Sequence, residues 1–151
     1  MYGFEPSPHN YLILKKKSHN IKNLEILNYA VGLENGISKI NQNIESSSSS
    51  INNLNTESKY FKKKYFFLNF FNKKNVIQPV DIKIMSLENF FLDREIKEVD
   101  LLKIDTEGYE YKILKGLSKK DLGRIDFVYI EHHYDQMIIK DYNFSDINSF
   151  L

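Results

Sequence analysis

The chain has 151 residues, 42% hydrophobic and 27% charged, a balance that suits one globular domain with a real core rather than a disordered chain. Its net charge of +1 lacks the basic excess that a dedicated nucleic-acid binder needs for phosphate contacts, so no nucleic-acid partner is expected. There is no cysteine, which excludes disulfides, thiolate zinc sites and a Cys nucleophile.

No apolar run approaches the roughly 20 residues that span a bilayer. The opening MYGFEPSPHN shows no signal peptide. The expectation is a soluble cytoplasmic protein without a membrane span.

Taken in chain order, Tyr2 to Glu5 reads as a short strand. Ser7 then serves as an N-cap with Pro8 at the first helical position, where its missing N–H costs nothing. This helix is expected to turn Tyr11, Leu12 and Leu14 inward and Lys15 to Lys17 outward, ending near Asn20. Leu24 to Val31 reads as one strand closed by Gly32, and Asn35-Gly36 as a hairpin turn that makes Gly32 to Ile44 a small antiparallel excursion.

Residues 45–58 are Ser- and Asn-rich and read as a flexible loop within a single domain covering 1–151. Lys59 to Lys74 (KYFKKKYFFLNFFNKK) interleaves aromatic residues with lysines. It reads either as a buried aromatic element with solvated ends or as a patch for an anionic partner. The first reading is preferred, because no further basic surface extends the patch.

Val80, Ile82 and Ile84 alternate with Asp81 and Lys83 in a strand, and Ser86 caps a short helix through Phe91 and Leu92. Asp100 to Asp105 is the next strand, and Glu107 to Leu117 a helix with Thr106 as its cap. Ile125 to Glu131 is a further strand, and Ser145 opens a last helix. Strands alternating with helices favour a parallel α/β sheet, in which ligands bind beyond the carboxyl ends of the strands. Glu5, Asp105 and Glu131 all end strands.

Helix physics accounts for Glu107 and Glu110, whose carboxylates suit the first turn of a helix. It accounts less well for Asp105, because Asp is poor in strands and this one closes a segment that wants burial. From the residues alone Asp105 stays open between an ordinary polar terminus and a ligand contact. The run Glu131-His132-His133-Tyr134-Asp135 is similarly open between loop polarity, substrate contact and a metal site. His132 and His133 are neighbours on an extended chain and point opposite ways, so no metal is assigned to them.

Two blocks carry a family resemblance. FEPSPHNYLILKKKSHNIKNLEILNYAVGLENG resembles the FkbM-type methyltransferases, with a strand ending in F-E-P, a helix, an Asn-rich turn and a strand ending in A-V-G. DLLKIDTEGYEYKILKGL is similar to the same family's L-L-K-I-D-x-E-G-x-E block, and VDIKIMSLENFF precedes it in the family's order. The resemblance runs from Phe4 to about His132.

It implies an S-adenosyl-L-methionine-dependent methyltransferase on a Rossmann-like α/β fold, with a mostly parallel sheet and flanking helices. The implied reaction is O-methylation of a hydroxyl on a small-molecule or glycan acceptor. By the same resemblance Glu5 binds the cofactor's ribose hydroxyls, Pro6 next to it belongs to the cofactor-binding set, Ala30, Val31 and Gly32 lie beside adenine, and Asp105 lies near the methionine end. Asp105, Glu107 and His132 are then the candidates for the catalytic base.

The family's first strand and Gly-rich loop, and its last strands, have no counterpart in this sequence. The chain is therefore expected to be a fragment. A second polypeptide completing the fold and a non-catalytic remnant acting through Lys59 to Lys74 are the competing accounts.

Overall fold

The computed structural model describes residues 1–43, 49–50, 77–106, 108–131 and 140–151. The expectations for Lys59 to Lys74, Glu107, His132, His133 and Asp135 lie outside these residues. Among the described residues no helix is long and apolar enough to cross a membrane.

The chain opens with strand β1 (Tyr2–Phe4) and helix α1 (Pro8–Ser18). The Ser7 hydroxyl accepts the Asn10 N–H at 3.2 Å, so the cap read from the sequence forms. Leu12 and Leu14 are exposed at 65% and 39%, against the expectation that they face inward. Leu12, Ile13 and Leu14 are consecutive and spread around the helix, so no single face can bury them together.

The expected strand from Leu24 to Val31 is two strands in different sheets. Strand β2 (Glu25–Leu27) pairs in parallel with β1, while β3 (Ala30–Gly32) pairs in parallel with a later strand, β6 (Ile77–Ser86). The break falls at Asn28. Its side-chain amide donates to the carbonyls of Glu5 at 2.9 Å and Pro6 at 3.1 Å, and this tertiary bond replaces the ladder there.

Strand β4 (Gly36–Asn43) is antiparallel to β6 and to the two-residue β5 (Ser49–Ser50), so Ser49 and Ser50 form a strand where a loop was expected. The antiparallel excursion exists, but Asn35-Gly36 closes no hairpin. Ile84 of β6 pairs with Ala30 on one side and Gly36 on the other, so β6 lies between β3 and β4. The Asn35 side chain instead accepts the Ser86 N–H at 2.9 Å.

Along β6 the alternation holds. Ile82 is buried with Ala30 and Ile40, while Asp81 and Lys83 face solvent. Ser86 caps α2 (Leu87–Asp93) through its hydroxyl, which accepts the Asn89 N–H at 3.2 Å.

Strand β7 (Val99–Ile104) leads to α3 (Glu110–Lys115), α4 (Lys119–Leu122), β8 (Ile125–Ile130) and α5 (Phe144–Phe150). Strands β7 and β8 pair in parallel. The last helix is capped by Asn143 rather than opened by Ser145, in a reciprocal box with Asp146. Helix α4 was not anticipated.

A single mostly parallel sheet was expected. The described strands instead form three small sheets, and the longest ladder, β4 with β6, is antiparallel. What unites them is the core. Leu87, Phe90 and Phe91 of α2 pack with Ile104, Ile113, Leu114, Leu117, Tyr142 and Ile147, and Phe4, Leu27 and Val31 lean against this cluster. Burying each large side chain stabilises by about 1.5–3 kcal/mol. Phe90 meets Phe4 edge-on at 4.9 Å and Tyr2 at 5.0 Å, fixing β1 to the helix layer that also carries β7.

Candidate functional site

Residues at or just beyond the carboxyl ends of β1 and β7 meet Tyr29, Ala30 and Val31 of the β3 segment at one cavity of about 450 Å³. Glu5, Pro6, Ala30, Val31 and Asp105 line it together, joined by Tyr29, Thr106 and Tyr109. Residues drawn from positions 5 to 105 of the sequence thus converge on one place. Gly32 does not reach the lining. It is buried at the end of β3, where an added Cβ would fall 2.6 Å from Ile84 Cγ2.

A larger cavity of about 730 Å³ lies among α1, β2 and β6, and collects none of the acids that end strands.

The lining of the 450 Å³ cavity has a particular character. It touches three consecutive residues of β1 (Tyr2, Gly3, Phe4) and three of β7 (Leu102, Lys103, Ile104). Consecutive strand residues point to opposite faces, so a cavity that meets all three meets the edge of the strand. Among the described residues β1 pairs with β2 and β7 with β8, and neither has a second ladder partner.

Glu5 is half-buried just beyond β1. Its Oε1 accepts the Ser7 N–H at 2.9 Å, and among the described residues no donor reaches Oε2. Burial pushes the Glu5 carboxyl above its ordinary range, and the Ser7 bond pulls it partly back. A half-buried carboxylate with one open oxygen at a cavity mouth fits a ligand that offers hydroxyl donors, as a ribose does.

Asp105 is exposed just beyond β7, and its Oδ2 meets Lys103 Nζ at 3.2 Å. Lys103 is held more basic than usual by that hydrogen bond and by the charge of Asp105. Glu131 lies beyond β8, where its N–H donates to the Ile104 carbonyl at 3.0 Å, and it does not line the cavity. Tyr109 faces the cavity, and burial raises its phenol pKa, with the charge of Glu34 adding to the effect.

The segment after Asp105 departs from expectation. Thr106 caps no helix. Gly108 has a φ of 97°, a conformation open to glycine but strained for other residues, and α3 begins only at Glu110. Glu110 was read as a helix-start residue. It is the first residue of α3, and it is also 1% exposed, with Oε1 accepting the Thr106 N–H at 3.1 Å, the Thr106 hydroxyl at 3.1 Å and the Gly108 N–H at 2.9 Å.

The Tyr142 hydroxyl donates to the other oxygen, Oε2. Burial alone would raise the Glu110 carboxyl, but the bonds from Tyr142, Gly108 and Thr106 prevail and hold it below its ordinary value. The sequence held one clue to this role. A carboxylate two residues after a glycine can fold back on the amides that precede it.

Comparison with known families gives one match. The sequence matches the Methyltransferase FkbM domain over residues 1–151. The chain belongs to the FkbM methyltransferase family. No curated protein and no solved structure matches it.

Membership in the FkbM family carries an α/β methyltransferase fold and a methyl donor as its general class of co-substrate. Of the residues that the FkbM resemblance singled out, Glu5, Pro6, Ala30, Val31 and Asp105 share the cavity, and Gly32 is not in its lining. Among the described residues no group of three or more His, Asp or Glu side chains could hold a metal.

Proposed function

We propose that the 450 Å³ cavity binds S-adenosyl-L-methionine and that the protein directs its methyl group to a hydroxyl of a sugar or secondary-metabolite acceptor. The observation that carries this reading is Glu5, a half-buried carboxylate with an open oxygen beside Ala30 and Val31 on the same cavity wall. Its oxygens suit the two ribose hydroxyls, while Pro6, Ala30 and Val31 offer an apolar surface for adenine. Family membership supports the reaction class.

The bound donor supplies a methyl already made electrophilic by a sulfonium. The protein's share is then to align the acceptor oxygen and receive its proton. Asp105, oriented by Lys103 at the mouth, is the described residue best placed for that end of the site, and Glu107 and His132 remain candidates beside it.

A Rossmann-like sheet forms if one more parallel strand enters between the edges of β1 and β7, supplied by the same polypeptide or by a second one. The edges of both strands along the cavity lining support this. Calorimetric titration of S-adenosyl-L-methionine into the protein as translated from its gene tests the proposal. Binding that is lost in Glu5→Ala upholds it, and no binding, or binding unchanged in that variant, sinks it.

A further inference from the structure

Glu110 takes no part in the chemistry above, yet bonds on its carboxylate lead to the rim of the cavity and to the C-terminal segment. Oε1 holds the Thr106 N–H and hydroxyl and the Gly108 N–H, and Oε2 receives the Tyr142 hydroxyl. Thr106 lines the cavity and directly follows Asp105.

An apolar side chain at 110 would serve a core better, because a buried carboxylate must be compensated for its lost water. Here the compensation comes from the loop itself. Between β7 and α3, Thr106 and a Gly108 in a non-helical conformation both donate to this one side chain. Tyr142 is 6% exposed, with its ring 5.4 Å from Tyr111, just ahead of α5, whose Ile147 is buried in the core. The Tyr142 end of this hydrogen-bonded latch is therefore packed in the core.

We infer that Tyr142 and Glu110 are positioning residues: the Tyr142 hydroxyl fixes the Glu110 carboxylate, which in turn holds Thr106 and Gly108 and, through Thr106, the placement of Asp105 at the cavity mouth. The functional side of this inference rests on the cavity being the methyl-donor site. The mechanical side stands on the hydrogen bonds alone.

Tyr142→Phe separates the two, since it removes one hydroxyl and keeps the ring. In the protein as translated, amide hydrogen exchange at Thr106 and Gly108 should quicken roughly tenfold, the loss expected for one hydrogen bond to a charged group. Exchange at Ile113 and Leu114 in α3 should not change. Affinity for S-adenosyl-L-methionine should fall by a similar roughly tenfold factor. Glu110→Gln keeps an acceptor oxygen for the loop amides and should fall between wild type and Tyr142→Phe in both readouts.

Unchanged exchange at Thr106 and Gly108, or a uniform increase through α3, overturns the latch and leaves Tyr142 a packing residue. Loop-specific exchange with donor affinity unaltered overturns the positioning role. Should the wild-type protein bind no donor, the cavity reading fails, and the exchange measurement alone still decides whether the latch exists.

Discussion

Asn28 holds the carbonyls of both Glu5 and Pro6 with a single side-chain nitrogen, at 2.9 and 3.1 Å. This one side chain breaks the strand between β2 and β3 and also fixes the exit of β1, where Glu5 meets the cavity. Asn28→Ala leaves two partly buried acceptors short of a donor and should cost about 1–2 kcal/mol in urea unfolding. Asn28→Asp replaces the donor with a third acceptor facing two carbonyls and should cost more than the alanine does. An aspartate variant as stable as wild type would contradict this account of the strand break.

Glu5 makes the opposite kind of prediction. Its carboxyl is raised by burial, so the folded protein favours the protonated form. Stability that depends on this group is therefore greatest below the unfolded value and declines as the pH rises through the folded one. Glu5→Gln keeps an oxygen for the Ser7 N–H and removes the charge that burial disfavours. It should be at least as stable as wild type at pH 7 by urea unfolding. It should nevertheless lose tenfold or more in affinity for S-adenosyl-L-methionine, because a charge-assisted acceptor is replaced by a neutral amide. Residues kept at a cost to stability are expected where a site needs them.

The parts that were legible in the sequence are those set by local chemistry. Ser7 and Ser86 cap their helices as read, and the alternation through Val80, Ile82 and Ile84 marks a strand with one buried face. The strand-end acids could be placed at one mouth only because parallel α/β order implies it, and Glu5 and Asp105 do share a cavity while Glu131 stays outside. What escaped was tertiary. Asn28 looks like any turn residue until Glu5 and Pro6 are folded against it. Glu110 has the same spacing whether it decorates a helix start or is buried under Tyr142, since the partner lies 32 residues away. Leu12 and Leu14 looked like core by composition, but their neighbour Ile13 spoils any single stripe.

Gly116 joins the end of α3 to the end of β3. A Cβ there would lie 2.9 Å from the Leu33 carbonyl oxygen and 3.0 Å from that of Gly32, and both are backbone atoms that cannot swing aside. Gly116→Ala should destabilise by about 1–3 kcal/mol as the helix backs away from the strand. Because Tyr109 stands at the start of the same helix and lines the cavity, donor affinity should weaken as well. Alanine tolerated with unchanged melting and binding would show that the helix does not rest on this approach.

The Glu110–Tyr142 pair should mark the stability profile at both ends of the pH scale. The Glu110 carboxyl is held below its ordinary 4.5, so its contribution is full above that value and is lost as the pH falls through the depressed folded value. Tyr142 is pushed well above its ordinary 10.0, by burial first and then by the bond to Glu110. Its neutral phenol therefore supports the fold up to about 10 and loses that support as the pH climbs beyond. Glu110→Ala would remove the carboxylate that accepts from the Tyr142 hydroxyl, Thr106 and the Gly108 N–H, at roughly 3 kcal/mol at pH 7. Glu110→Gln should cost less, and its urea midpoint should vary less than wild type between pH 5 and 3, values chosen to bracket the ordinary 4.5. An acid limb equally steep in the glutamine variant would mean that other carboxylates govern the acid transition.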